Sequence, residues 1–184
     1  MSDSFPILEN SHIQLRRMQE SDWQAFVPLC SDPAMWTWFT TDLSDEEELK
    51  NWVQSELDQA GREERLPFTV IDKANNRIAG STSLGNFSWR DARVEIGWTW
   101  FGRDFQGRGI NDQSKYLLLD YCFSQLKMKR VEFKTDVLNL HARKALQRIG
   151  AVEEGVLRSH TLMTNNRRRD TIYYSILQEE WAKI

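Results

Sequence analysis

The sequence predicts a mixed α/β fold, an α+β mixed sheet of about seven mostly antiparallel strands with helices on both faces. Three observations predict it. The chain has 184 residues, 40% of them hydrophobic, which is the size of one domain. Its apolar residues recur at helical spacing in some segments and alternate in others, in the order β-α-α-β-β-β-α-β-α-β-β. A strand, a long helix and a strand also follow one another around residues 93–138, which requires a crossover between parallel strands. No repeat, low-complexity tract or linker breaks the pattern, so residues 1–184 read as a single domain.

The elements follow in order. Residues 7–18 alternate, with Ile13 and Leu15 set against Gln14 and Arg16. Glu20-Ser21-Asp22 opens a helix through Trp23, Phe26, Val27 and Cys30, ending before Asp32-Pro33. A second helix starts near Ser44, the expected N-cap, with Glu47 at the capping-box position. Its apolar residues Leu49, Trp52, Val53 and Leu57 keep helical spacing, and its acidic first turn suits the helix dipole. Residues 67–71, 78–87 and 92–101 form an antiparallel meander, with turns at Asn75-Asn76 and at Trp89-Arg90-Asp91. A helix is expected over 111–127 and a strand over 130–138, where Val131, Phe133, Thr135 and Val137 alternate. A short helix over 142–149 is stopped by Gly150. Two last strands, 152–162 and 171–177, flank a turn at Asn165-Asn166.

Composition removes several function classes. A net charge of −3 argues against broad contact with a nucleic-acid backbone. The longest apolar stretch, 116–123, is interrupted by Asp120 and too short to span a membrane. The N-terminus carries neither a basic n-region nor an apolar h-region, so a cytoplasmic protein is expected. Cys30 and Cys122 lie far apart with no CxxC pattern and read as buried thiols of a reducing compartment. His12, His141 and His160 lack the spacing of ligands, and no metal is expected.

The chemistry points to one turn. Gly102-Arg103-Asp104-Phe105 leads from a strand into Gln106, Gly107, Arg108, Gly109 and Ile110, after which the long helix begins near Asn111. Glycines there free the backbone to aim N–H groups at one point, and a helix N-terminus adds unpaired donors and partial positive charge. That combination suits a pyrophosphate, with Arg103 and Arg108 adding charge from the rim. An ordinary strand-to-helix turn with glycines for geometry is the other reading. The turn lacks both GxGxxG spacing and the GK[ST] ending of a P-loop, and the strands before it are a meander, which disfavours a Rossmann site.

Gln106-x-x-Gly109-x-Asn111 resembles motif A of the GNAT N-acetyltransferases, in the same place between a strand and a long helix. Residues 130–139, 143–151, 154–158 and 169–177 are similar to the later strand, helix and closing hairpin of the RimJ/RimL-type branch of that superfamily. The resemblance implies the GNAT fold and acetyl-CoA as acyl donor. It implies a pyrophosphate on the backbone of 106–112 and a pantetheine between splayed fourth and fifth strands, bonded near Trp98, Thr99 and Trp100. Gly97 inside Val94-Glu95-Ile96-Gly97-Trp98 adds a hint of a bulge there, or of room for a neighbouring Trp. Asn139 matches a family residue that contacts the pantetheine arm; it also reads as a plain N-cap.

Acetyl transfer to an amine needs a base, an oxyanion donor and a leaving thiolate. Glu95 is the expected base, directly or through water, since burial in an apolar strand would raise its pKa. The alternative is a Glu facing solvent or pairing with Arg93. A backbone N–H near 98–100 would hold the oxyanion. The usual acid is missing: the family Tyr and Ser positions are Leu146 and Ala142, which leaves water, Tyr173 or Tyr174. Asp112 beside the turn would repel a phosphate unless it caps the helix away from it.

On the acceptor side, Trp36 and Trp38 of the loop between the first two helices, with Trp89 and Trp98, would form an aromatic wall, or else pack in the core. Arg167-Arg168-Arg169 at the hairpin tip would attract an acidic partner or lie solvated. The expected activity is transfer of acetyl from acetyl-CoA to a primary amine, first of all a protein or peptide N-terminus. A small-molecule amine acetyltransferase and a non-catalytic acyl-CoA-binding module are the alternatives. No membrane or nucleic-acid partner is expected, and the chain reads as a monomer or homodimer.

Overall fold

The computed structural model describes residues 5–181. Its eight strands form one sheet in the order β1-β2-β3-β4-β5-β6-β8-β7. In chain order the elements are β1 (Leu8–Glu9), β2 (Ile13–Arg17), α1 (Asp22–Cys30), α2 (Glu46–Gly61), β3 (Arg65–Asp72), β4 (Arg77–Ser88) and β5 (Arg93–Phe101). They continue with α3 (Ile110–Asp120), β6 (Arg130–Asp136), α4 (Leu140–Arg148), β7 (Val152–Leu162), β8 (Arg168–Leu177) and α5 (Gln178–Trp181). Neighbouring strands run antiparallel except β5 and β6.

Two apolar layers cover the sheet. Ile110, Leu118 and Leu119 of α3 and Leu146 of α4 join one core with Leu84, Val94, Ile96, Val131, Phe133 and Tyr174. Phe26 and Cys30 of α1, with Leu49 and Val53 of α2, form a second with Trp36 and Trp100. Cys30 and Cys122 are both buried, as expected, and burial pushes the Cys30 thiol up to about 12.

The structure corrects several sequence expectations. The first strand is two, because Asn10 Oδ1 accepts from the N–H groups of His12 (2.8 Å) and Ile13 (3.0 Å) and turns the chain. The cap of α2 is Asp45 rather than Ser44; its Oδ1 accepts from Glu47 N (2.9 Å) and Glu48 N (3.0 Å). The long helix ends as α at Asp120 and continues over Tyr121–Gln125 with π geometry, Leu126 N donating to Tyr121 O at 3.0 Å. Strand β6 stops at Asp136, whose Oδ1 accepts from Leu138 N (2.9 Å), and α4 then starts two residues early behind Asn139.

The sheet opens where β5 meets β6. The two strands pair only through Arg93↔Arg130, Val94↔Val131 and Glu95↔Glu132. Beyond Glu95, β5 stays on β4 up to Gly80↔Phe101, while β6 stays on β8 to Asp136↔Thr171. A bulge lies on the freed part of β5: Trp98 and Thr99 together face Thr82, and Trp98 has φ +52°. The bulge therefore begins one residue after Gly97. Gly97 itself makes room for a carboxylate, since a Cβ there would stand 3.1 Å from Glu95 Oε1.

Candidate active site

The turn before α3 takes its form from two glycines. Gly107 (φ +71°) and Gly109 (φ +79°) are left-handed, a conformation that glycine adopts without steric cost. Gly109 is the N-cap of α3 and offers no side chain, so the first amides of the helix stay open. Across residues 107–112 no backbone N–H has an acceptor among the described residues. Gln106 ties the turn down by donating Nε2 to Phe101 O at 2.9 Å, and the buried Ile110 anchors the helix start. A row of free donors on a positive helix end fits a pyrophosphate.

The charges around the turn differ from the sequence expectation. Arg103 pairs with Asp32, and Arg108 NH1 lies 3.4 Å from Asp72 Oδ2, so both cations already have acidic partners. Asp112 does not cap the helix. It is the third residue of α3, held by two bonds from Arg148 of α4, at 3.1 Å and 2.8 Å. Asn111 Nδ2 sits 3.5 Å from the same carboxylate.

Glu95 stands at the point where the sheet opens and is 5% exposed. It neither faces solvent nor pairs with Arg93, whose partner is Glu132 at 3.2 Å. Nor is its setting apolar. Asn86 Nδ2 donates to Glu95 Oε2 at 2.7 Å, and Lys134 Nζ lies 3.0 Å from the same oxygen. Asn139 caps α4, its Oδ1 accepting from Ala142 N at 3.1 Å.

The aromatic cluster is real but differently composed. A cleft of about 40 Å³ is lined by Trp36, Phe39, Leu43, Trp52, Trp98 and Trp100. Trp36 and Trp98 line it, and Trp36 is also part of the second core. Trp89 does not line it: it is half exposed and stacks on Phe87 at 5.1 Å. Trp38 does not line the cleft. Trp98 lies under the Arg65 guanidinium (3.7 Å), and Arg65 pairs with the buried Glu56.

The family model of the Acetyltransferase (GNAT) domain matches residues 12–152. The chain belongs to the GNAT acetyltransferase family. It is 29% identical over 181 residues to the protein named "Putative ribosomal N-acetyltransferase YdaF" of Bacillus subtilis (strain 168), covering 94% of each chain. It superposes on a GCN5-related N-acetyltransferase from Brucella melitensis with TM-score 0.88 and 26% identity, over 99% of this chain and 83% of that one. It shares its fold with the ribosomal-protein-S5-alanine acetyltransferase from Vibrio fischeri, at TM-score 0.77, 21% identity and 96% and 98% coverage. These likenesses agree with the RimJ/RimL-type branch, and the chain is an N-acetyltransferase with a GNAT fold.

Against that family frame, the tyrosines of the last strand stand apart from one another. Tyr174 is buried on the α4 side; its hydroxyl donates to Glu153 (3.1 Å) and accepts from Arg143 Nε (3.1 Å). Tyr173 points to the other face, opposite Lys134 in register. The arginine run also divides. Arg167 pairs with Asp136, Arg168 reaches Ser159, and Arg169 is 7% exposed rather than at a tip. Arg169 Nε donates to Thr171 Oγ1 at 3.0 Å, and its terminal nitrogens have no acceptor among the described residues. Asp136, Tyr173 and Glu95 are near enough to act on its charge.

Sequence reasoning missed three charged residues here: Glu56, Lys115 and Lys134. A signal existed for two. Glu56 continues the apolar stripe of Leu49 and Val53, and Lys115 lies one turn before Leu118 and Leu119. Lys134 occupies an ordinary alternating strand position, and nothing local marks it.

Proposed function

We propose that this GNAT enzyme uses acetyl-CoA to acetylate a primary amine, with a protein or peptide N-terminus as first acceptor. The observation that carries the reading is the row of free amides on 107–112 beside a sheet that parts at the buried Glu95. The backbone of Gln106, Gly107, Arg108, Gly109, Ile110 and Asn111 holds the pyrophosphate. The bulged strand at Trp98, Thr99 and Trp100 and the capping Asn139 border the pantetheine arm. Bound there, acetyl-CoA supplies an activated acyl group.

Glu95 takes the proton from the amine, directly or through water. Lys134 and Asn86 fix one oxygen, which leaves Oε1 over Gly97 as the atom to receive it. The acceptor enters across the cleft bordered by Trp36 and Trp98, on the α1–α2 face. Lys134, Tyr173 and Arg169 lie on the Glu95 side of the sheet, so a carboxylate on the acceptor meets the two unpaired nitrogens of Arg169. That favours acceptors with an acid close to the amine, whether an acidic side chain near a peptide N-terminus or the carboxylate of a small amino acid. The protein acts in the cytoplasm.

A thiol-release assay with acetyl-CoA and a panel of peptides and small amines, each with and without a carboxylate, tests this. Turnover with an acidic peptide supports the reading, and turnover confined to a free amino acid moves the acceptor to small molecules. Stabilisation by acetyl-CoA with no turnover on any acceptor would sink it.

A further inference from the structure

We propose that Lys115 of α3 is the acid that protonates the departing thiol, the role for which Leu146 and Ala142 supply no group. The inference rests on the acetyl-transfer reading above. Lys115 is 5% exposed, and its Nζ donates to Thr99 Oγ1 at 2.7 Å. Thr99 is half of the β5 bulge, on the stretch of strand that β6 has left. Its hydroxyl lies 2.7 Å from Thr82 Oγ1 and 3.2 Å from Gly97 O. The ammonium thus reaches the lip of the opening from the α3–α4 layer.

A buried lysine kept for stability needs a counter-ion or a full set of acceptors. Lys115 has one acceptor among the described residues. From β5 it meets the hydroxyl of Thr99, which is itself bonded to Thr82 of β4, and from β1 Glu9 is turned to Lys73. Asp112, the one charge acting on it, is held by Arg148 of α4. Two donor hydrogens are left over among the described residues. Burial also pulls the Lys115 pKa down to about 7, and an acid of that strength transfers a proton readily to a thiolate whose thiol titrates near about 8.5.

The step balances. Glu95 takes the proton lost by the amine nitrogen as that nitrogen bonds the acetyl carbon. Lys115 gives an Nζ proton to sulfur as the C–S bond breaks and its electron pair stays on sulfur. Water then restores the proton on Lys115.

The test compares the parent enzyme with Lys115→Met and Lys115→Arg over pH 6–10, and follows the Lys115 side-chain resonance of the free parent by NMR. Lys115→Met keeps the volume and removes the charge. The expected result is a fall in kcat of about a hundredfold, KM for acetyl-CoA within threefold, and loss of the fall in kcat above pH 7 that is expected of the parent. Lys115→Arg, which stays charged, keeps KM and also loses that fall. In the free parent the resonance titrates near pH 7. An active parent whose Lys115→Met retains both kcat and the alkaline fall, or a resonance titrating near the ordinary value of about 10.4, overturns the assignment while leaving acetyl transfer standing. A parent inactive on every acceptor overturns the reading beneath it, and the NMR titration still reports on Lys115.

Discussion

Lys134 Nζ stands 3.0 Å from Glu95 Oε2 across the strand pair that is about to part. The ammonium comes from β6 and the carboxylate from β5, so the pair spans the opening at its closed end. Glu95→Gln is expected to lower kcat at least about a hundredfold, with the deficit relative to the parent narrowing at high pH, where more of the free amine is already deprotonated. Rates measured from pH 6 to 10 check it, and an unchanged rate removes Glu95 as base.

Lys134→Met leaves that carboxylate buried beside Asn86 alone. Removing one partner of a buried pair is destabilising, and Lys134 is partly exposed, so a loss of up to about 3 kcal/mol is expected. Urea unfolding measures it; the double variant Lys134→Met with Glu95→Gln should recover part of the loss.

Arg148 keeps Asp112 occupied in the first turn of α3. Arg148→Ala frees a carboxylate in the first turn of α3, next to the open amides. The expected effect is about a fivefold rise in the Kd of acetyl-CoA, the size of one charge at a helix end, with kcat unchanged. Calorimetry at low salt reads it, and the rise should shrink as salt is added.

Gly109→Ala forces a side chain into a left-handed backbone with φ +79°. A stability loss of about 1 kcal/mol is expected, together with weaker acetyl-CoA binding as the amides lose their common aim. No atom lies within 4 Å of the added Cβ. The cost is conformational, so Gly109→Asn, a residue more tolerant of that region, should lose less.

Lys115 also makes a statement about stability. Its folded pKa is depressed below the unfolded value, so between about pH 7 and the unfolded pKa the unfolded chain binds more protons than the native one. Stability contributed by this group therefore rises with pH through that window, with a slope of up to about 1.4 kcal/mol per pH unit. Lys115→Met should flatten the rise, which denaturant unfolding between pH 7 and 10 would reveal.

The sequence by itself determined the element order, the glycine-bearing turn and a carboxylate on the strand before it. These are local matters: alternation, helical spacing, and φ angles that only certain residues adopt. Its errors were local too, such as Asp45 capping in place of Ser44, because both residue types cap equally well. Only the tertiary structure decided which charges meet. Arg148 reaches Asp112 across 36 residues, Lys134 reaches Glu95 across 39, and Lys115 reaches Thr99 from beneath the sheet. Burial and pairing set the free energy of a charge, and both depend on which strands lie side by side. The parting of β5 from β6, which no local pattern encodes, is what sets a strand glutamate at the closed end of the opening and the lysine-bonded Thr99 on its freed edge.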